Sequence, residues 1–236
     1  MKVRIKFTKE GPMKFVGHLD TMRYFQKALR RAGIPVAFSG GYSPHMIMSF
    51  AAPLGVGTTS LGEYFDMELR EAMPTAEIEK RLNETMAEGI RVISARQVEE
   101  GKASKAMSLV AACDYRISFR PERTPEIPLE EKVEEFISRP SILVMKKTKR
   151  SEKEVDIRPY IYEMKADGKG NIFLRLASAS ANYTKPELVM DRFLSFLGIE
   201  PEPFSYLTER LEVYADMDPE GVHKFVSLEA LGEIVE

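Results

Sequence analysis

At the start of the chain Val3, Ile5 and Phe7 alternate with Lys2, Arg4 and Lys6. A period of two is that of a β-strand with one buried face, which predicts a strand over residues 2–8. Gly11 and Pro12 break the alternation. From His18 to Ala32 the period becomes helical, with Met22, Phe25, Leu29 and Ala32 on one side and Arg23, Lys27, Arg30 and Arg31 within a narrow arc of the other. Gly33 and Pro35 stop that helix, as a glycine followed by a proline does. Strand-like stretches follow at Met46 to Ala52 and Glu63 to Leu69. A helix is predicted from Pro74 and Thr75 to about Ala87, with Ile78, Leu82 and Met86 on its apolar side, and a further strand over Ile90 to Val98. The order is βαββαβ.

A polar stretch, Glu99 to Ser108, reads as a linker because Gly101, Lys102 and Ser104 interrupt any period. After it the order recurs. Tyr115, Ile117 and Phe119 alternate as a strand, Leu129 to Ser138 is helical, and Ile142 to Lys146 and Val155 to Met164 are strand-like. Gly168 to Asn171 forms a turn, Ile172 to Leu176 a strand, Leu188 to Leu197 a helix and Phe204 to Val213 a strand. The expected fold class is α+β: two tandem ferredoxin-like (split βαβ) units, with antiparallel sheets and helices on one face. Their limits are 1–100 and 109–236, the second carrying an extra strand or hairpin. A terminal helix, Pro219 to Ile234, is expected to pack on the second unit.

Charge changes this picture. The 236 residues carry a formal net charge of -2, but residues 1–50 hold nine Lys or Arg against two acids, a net of +7. Residues 51–140 sum to -5, 141–160 to +3 and 161–236 to -7. An overall pI near 6.1 argues against a general nucleic-acid coat protein, while a local basic surface stays compatible with binding phosphate. The single cysteine, Cys113, cannot make an internal disulfide, a four-thiolate zinc site or a cysteine-held iron–sulfur cluster. No apolar run approaches 18 residues, and the amino terminus alternates where a signal peptide would be continuously apolar, so the expectation is a soluble, cytoplasmic protein with no membrane partner.

Two kinds of chemistry are open to these residues. His18 and His45 can bind a metal or move protons near neutral pH, and Asp20 can fix an imidazole or add a ligand. A stand-alone metal-dependent or acid–base enzyme would therefore use His18, Asp20 and His45. Against this, a local helix cap or ion pair accounts for Asp20, and His18 and His45 are predicted near opposite ends of one helix. The second possibility is phosphate-backbone binding. Arg23, Lys27, Arg30 and Arg31 can track a polyanion while Tyr42 stacks on a base, and Gly41 and His45 belong to a turn that exposes backbone N–H groups. A second basic run, Lys146, Lys147, Lys149 and Arg150, with Arg158 just beyond it, could add to such a surface. No phosphate loop, dinucleotide fingerprint, nucleophile elbow or zinc-protease helix is present.

The stretches from Phe15 to Leu69 and from Lys146 to Ile161 resemble the radical-SAM-linked protein family, bacterial proteins fused to, or encoded beside, radical SAM proteins and sometimes ribonuclease E/G. The likeness spans most of residues 1–200. Its motifs are His18-Leu19-Asp20, Arg30-Arg31-Ala32-Gly33, Ser39 to His45, Pro53-Leu54-Gly55, Glu63 and Val155-Asp156-Ile157-Arg158-Pro159. Family members usually carry Phe-Asn where this chain has Tyr42-Ser43. The resemblance implies an accessory that binds substrate, RNA first among the candidates, for a radical SAM partner protein. The iron–sulfur cluster and S-adenosylmethionine are then expected only on that partner. A protein-interaction scaffold is the remaining alternative.

Overall fold

The computed structural model describes residues 1–101, 104–147 and 152–236. The elements in chain order are β1 (Lys2–Lys9), α1 (His18–Arg31), β2 (Met48–Phe50), β3 (Thr59–Glu68), α2 (Thr75–Asn83), β4 (Ile90–Val98), α3 (Ala106–Leu109) and β5 (Ala112–Phe119). They continue with α4 (Leu129–Ile137), β6 (Leu143–Lys147), β7 (Glu152–Asp156), β8 (Ile161–Ala166), β9 (Asn171–Ala177), α5 (Pro186–Phe196), β10 (Tyr206–Asp216) and β11 (Phe225–Ser227). The chain is α+β, and its strand pairings are mostly antiparallel.

Contacts divide it into two units, Met1–Ala111 with Arg210–Glu236, and Ala112–Glu209. This departs from limits drawn along the sequence, because the last 27 residues belong to the first unit. The terminal segment is also no long helix. It forms β11 and a 3-10 turn, Leu228–Leu231, and Glu233 bridges to Gln97 of β4. The expected long strand over Val155 to Met164 is likewise split by the 3-10 turn Arg158–Tyr160.

In the first unit the order is β4-β1-β3, all antiparallel, with β2 pairing the end of β3 through Met48↔Met67 and Phe50↔Phe65. The beginning of β3 instead meets β10. Gly62 makes that approach possible, since a Cβ there would lie 2.9 Å from the Leu211 carbonyl oxygen. On one sheet face Val3, Ile5 and Phe7 pack with Phe25 and Leu29 of α1 and Ile78 and Leu82 of α2. The Phe7 and Phe25 rings meet edge-on at 4.6 Å between centroids, and Phe50 and Phe65 close the aromatic group.

The other face of β1 overturns the pattern of one buried face. Lys2 and Arg4 are buried as fully as their apolar neighbours, and Lys6 nearly so. The Arg4 guanidinium, 1% exposed, donates to both oxygens of Asp66 at 2.8 and 3.2 Å and to the carbonyls of Leu228 and Ser104. Lys6 Nζ donates to Glu212 and Glu229, each at 2.6 Å. The cover is supplied by residues 104–109 and by the carboxy-terminal segment, remote in sequence, so no local period announces it.

In the second unit β5, β9 and β8 pair antiparallel in that order, and the first residues of β10 lie beside β5, where Arg116 pairs with Glu209. β6 and β7 form a separate hairpin. Phe136 of α4 and Phe193 of α5 meet at 5.2 Å over a core that includes Ile117 and Leu174.

Candidate functional site

Helix α1 presents its predicted faces. Thr21, Phe25, Ala28 and Leu29 are buried, whereas Leu19, Asp20, Arg23, Lys27, Arg30 and Arg31 are exposed. Its end is a Schellman motif: Gly33, at φ 63°, donates its N–H to the Arg30 carbonyl and Ile34 donates to that of Leu29. Of the four cations only Arg23 has an acid partner among the described residues, Asp20 at 3.1 Å, an exposed pair worth little. Arg31 donates to the Thr85 carbonyl at 3.3 Å. The side chains of Lys27 and Arg30 bond to no group among the described residues.

After the helix stop the chain makes a closed loop. The Ser39 N–H donates to the His45 carbonyl at 2.9 Å, the His45 N–H donates to Ser39 Oγ at 3.1 Å, and that hydroxyl also lies 2.9 Å from His45 Nδ1. The Phe38↔Met46 bridge closes the base. Gly41, at φ 94°, supplies the left-handed turn, and Tyr42 stands fully exposed at the tip.

The two histidines do not share a site. His18 lies edge-on to Phe50 at 5.3 Å and lines a space of about 10 Å³ with Lys9, Thr21 and Glu63, room for a single water at most. His45 lines a different cavity of about 140 Å³ with Lys2, Asp66, Glu68 and Lys105. Asp20 is exposed and turned to Arg23. Among the described residues no group of three His, Cys, Asp or Glu side chains could hold a metal ion. His18, Asp20 and His45 are therefore not brought into one metal or acid–base centre.

Beside His18 the sequence hid a buried ionic group. Arg210, 2% exposed, donates to both oxygens of Glu63 at 3.0 and 3.1 Å and reaches the carbonyls of Ala52 and Pro53. The Pro53-Leu54-Gly55 turn and Glu63, separate in sequence, are thus one structural unit. Lys9 donates to the Val16 carbonyl at 2.6 Å, and burial pushes its ammonium below the usual lysine range despite the Glu63 charge. On the opposite sheet face burial opposes the charge on Lys6, but its bonds to Glu212 and Glu229 outweigh this and raise it. Burial pushes the Tyr64 hydroxyl upward, aided by Glu212, to which it donates at 2.6 Å. No sequence signal marks Arg210, Glu212 or Glu229, because each acts through a partner more than 140 residues away.

In the second unit Lys146 donates to the Tyr183 carbonyl at 2.9 Å on the surface. Lys147 ends β6. Lys149 and Arg150 lie outside the described residues. Arg158 is a correction to the binding set. Its guanidinium donates to the carbonyls of Ile137, at 2.6 Å, and Ile161, at 3.1 Å, tying the end of α4 to the start of β8. Asp156 of the same motif accepts the N–H groups of Ile142 and Arg158, and these bonds hold its carboxyl below the ordinary range. The Val155 to Pro159 string is accordingly a structural corner.

These features define an α+β protein with an exposed basic helix face and aromatic loop, and with other cations held in buried ion pairs. Residues 2–186 match the family described as an uncharacterized protein conserved in bacteria (DUF2344), and the chain belongs to it. No curated protein matches. Among solved structures, a chain of the crystal structure of a Cbf5-Nop10-Gar1 complex is similar at 11% identity, over 89% of this chain and 48% of that one, with a TM-score of 0.45. The present chain thus spans about half the length of that neighbour, and a likeness of this degree bears on neither function nor fold detail. Among the described residues no helix is long and apolar enough to cross a membrane.

Proposed function

We propose that this chain is a substrate-binding accessory, its substrate RNA, that works with a radical SAM partner in a modification system. The observation that carries the reading is the outer face of α1. Arg23, Lys27, Arg30 and Arg31 project into solvent with one acid partner among them, and the loop that follows lifts Tyr42 clear of the surface. Cations that track phosphates combined with an exposed ring that can stack on any base are what single-stranded nucleic acid requires. The fold is compatible. The first unit, ordered β4-β1-β3 with β2 beside β3, and the second, ordered β8-β9-β5 with an inserted β6–β7 hairpin, are both read as ferredoxin-like, though that analogy weighs less than the site.

The radical SAM link rests on the family resemblance carried by the motifs between His18 and Pro159. One buried thiol, Cys113, is too few for a cysteine-held cluster, so the reactive group belongs to the partner. A surface for a partner protein is available near the start of α1. Phe15, Leu19 and Val56 are 66%, 61% and 65% exposed, and the Gly57 N–H donates to the Lys14 carbonyl, holding the turn bearing Val56 beside Phe15.

The test is a salt titration of binding to a labelled single-stranded RNA. The slope of log affinity against log salt should flatten by about 0.7 for each phosphate contact removed, so Lys27→Ala with Arg30→Ala should flatten it by more than one. Absence of RNA binding by the wild type at low salt defeats the reading.

A further inference from the structure

The cavity of about 140 Å³ at His45 has no role in the scheme above, and its chemistry is selective. Ser49↔Asp66, Arg4↔Asp66 and Lys2↔Glu68 place Ser49, Asp66, Glu68 and Lys2 on the polar face of the sheet, and Met48 and Met67 also line the cavity. Two of these groups are already committed, since Lys2 Nζ lies 3.5 Å from Asp66 and donates to Ser104 Oγ. The carboxylate of Glu68 and the ammonium of Lys105 are not. Both are exposed and bond to no side chain among the described residues. His45 uses Nδ1 toward Ser39, which leaves Nε2 uncommitted at the rim.

We propose that this cavity takes one guanine of a single-stranded RNA, with Glu68 and Lys105 as the groups that read it. The proposal rests on the RNA reading and names what that surface selects. A second space of about 320 Å³ shares Lys2, Glu68 and Lys105 with this one, so a base held by Glu68 and Lys105 has room beside it for the adjoining strand. The free carboxylate only accepts hydrogen bonds, so the part of the ligand that meets Glu68 must carry N–H donors. Guanine alone among the four bases sets two adjacent donors, N1–H and the N2 amino group, on one edge, where the two oxygens of one carboxylate can accept both. Its O6 lies next to them as an acceptor for an ammonium, the group lysine uses to recognise guanine. The loop that carries Tyr42 ends at His45 on the same rim, so a neighbouring base stacked on Tyr42 would continue the strand.

The experiment compares two labelled octaribonucleotides, all uridine and uridine with one central guanosine, by fluorescence anisotropy, and follows GMP and UMP by ligand-observed NMR. The wild-type chain is expected to bind the guanosine octamer about tenfold more tightly, the discrimination of one good bidentate contact. It should also give a saturation-transfer signal for GMP that exceeds that for UMP. Glu68→Ala should abolish both preferences, and Lys105→Ala should weaken them, with thermal unfolding unchanged. Equal binding of the two octamers with no GMP signal overturns the assignment and leaves the RNA reading standing. A preference that survives Glu68→Ala overturns it too. If neither octamer binds while GMP binds in a Glu68-dependent way, the RNA reading falls, the assignment to RNA falls with it, and the cavity is a site for a free guanine nucleotide.

Discussion

The first 31 residues hold two sets of cations that the sequence does not distinguish and the fold separates completely. Lys2, Arg4, Lys6 and Lys9 of β1 are withdrawn from water and bonded to Asp66, Glu212, Glu229 and backbone carbonyls. Arg23, Lys27, Arg30 and Arg31 of α1 stay outside, and among the described residues only Arg23 meets an acid. The net of +7 over residues 1–50 therefore overstates the charge offered to a ligand. A cation inside a sheet is stabilised by its partners and costs stability when they are removed. A cation on a helix face contributes almost nothing to stability and remains available to a polyanion.

That contrast can be broken most forcefully at Arg4. Arg4→Ala leaves the buried Asp66 with Lys2 and the Ala106 N–H as partners and should cost about 3–5 kcal/mol of unfolding free energy, read by urea denaturation. Arg30→Ala should stay within about 0.5 kcal/mol in the same assay. Equal losses at the two sites would erase the distinction.

Tyr42→Ala should weaken binding to single-stranded RNA by about 1–3 kcal/mol, the contribution of one stacked base, with no change in melting temperature. Loss of stability without loss of binding would mean that the ring serves the fold.

The smallest effect is a pH dependence. Glu229 is held below the ordinary carboxylate range: burial opposes this, and its bonds to Lys6 and Ser94 outweigh burial. A lowered folded-state value contributes stability that is fully present above the unfolded carboxylate value and is lost as pH falls through the folded one. Lys6, raised from 10.5, contributes stability present below that value and lost as pH rises through its folded value. The wild type should accordingly lose stability below about pH 4.5 and again above about pH 10.5, the ordinary values of the two groups. In Lys6→Met the acid-side loss should shrink, because Glu229 no longer gains from being charged. Denaturant midpoints collected across pH for both proteins check this, and superimposable acid limbs would contradict it.

Much of the fold was legible. The helical period of α1, its apolar stripe through Phe25 and Leu29 and its stop at Gly33 follow from local sterics and burial, which act over a few residues. The same holds for the strand at residues 2–8 and for the tight turn at Gly41. The candidate site was legible in part. Arg23, Lys27, Arg30 and Arg31 share a face because 3.6 residues make a turn, whereas Arg158 looked like the same kind of cation and is consumed by the carbonyls of Ile137 and Ile161. Glu68 and Lys105 carried no signal, since they come together only when residues near 105 return to the sheet.

Sequence alone determined which residues of β1 and α1 share a side, because a side is a property of backbone geometry. Tertiary structure alone decided which polar side stays wet. Burial depends on what lies across it, and across β1 lie the chain near Ser104 and the segment around Leu228, brought there by the closing of the whole unit.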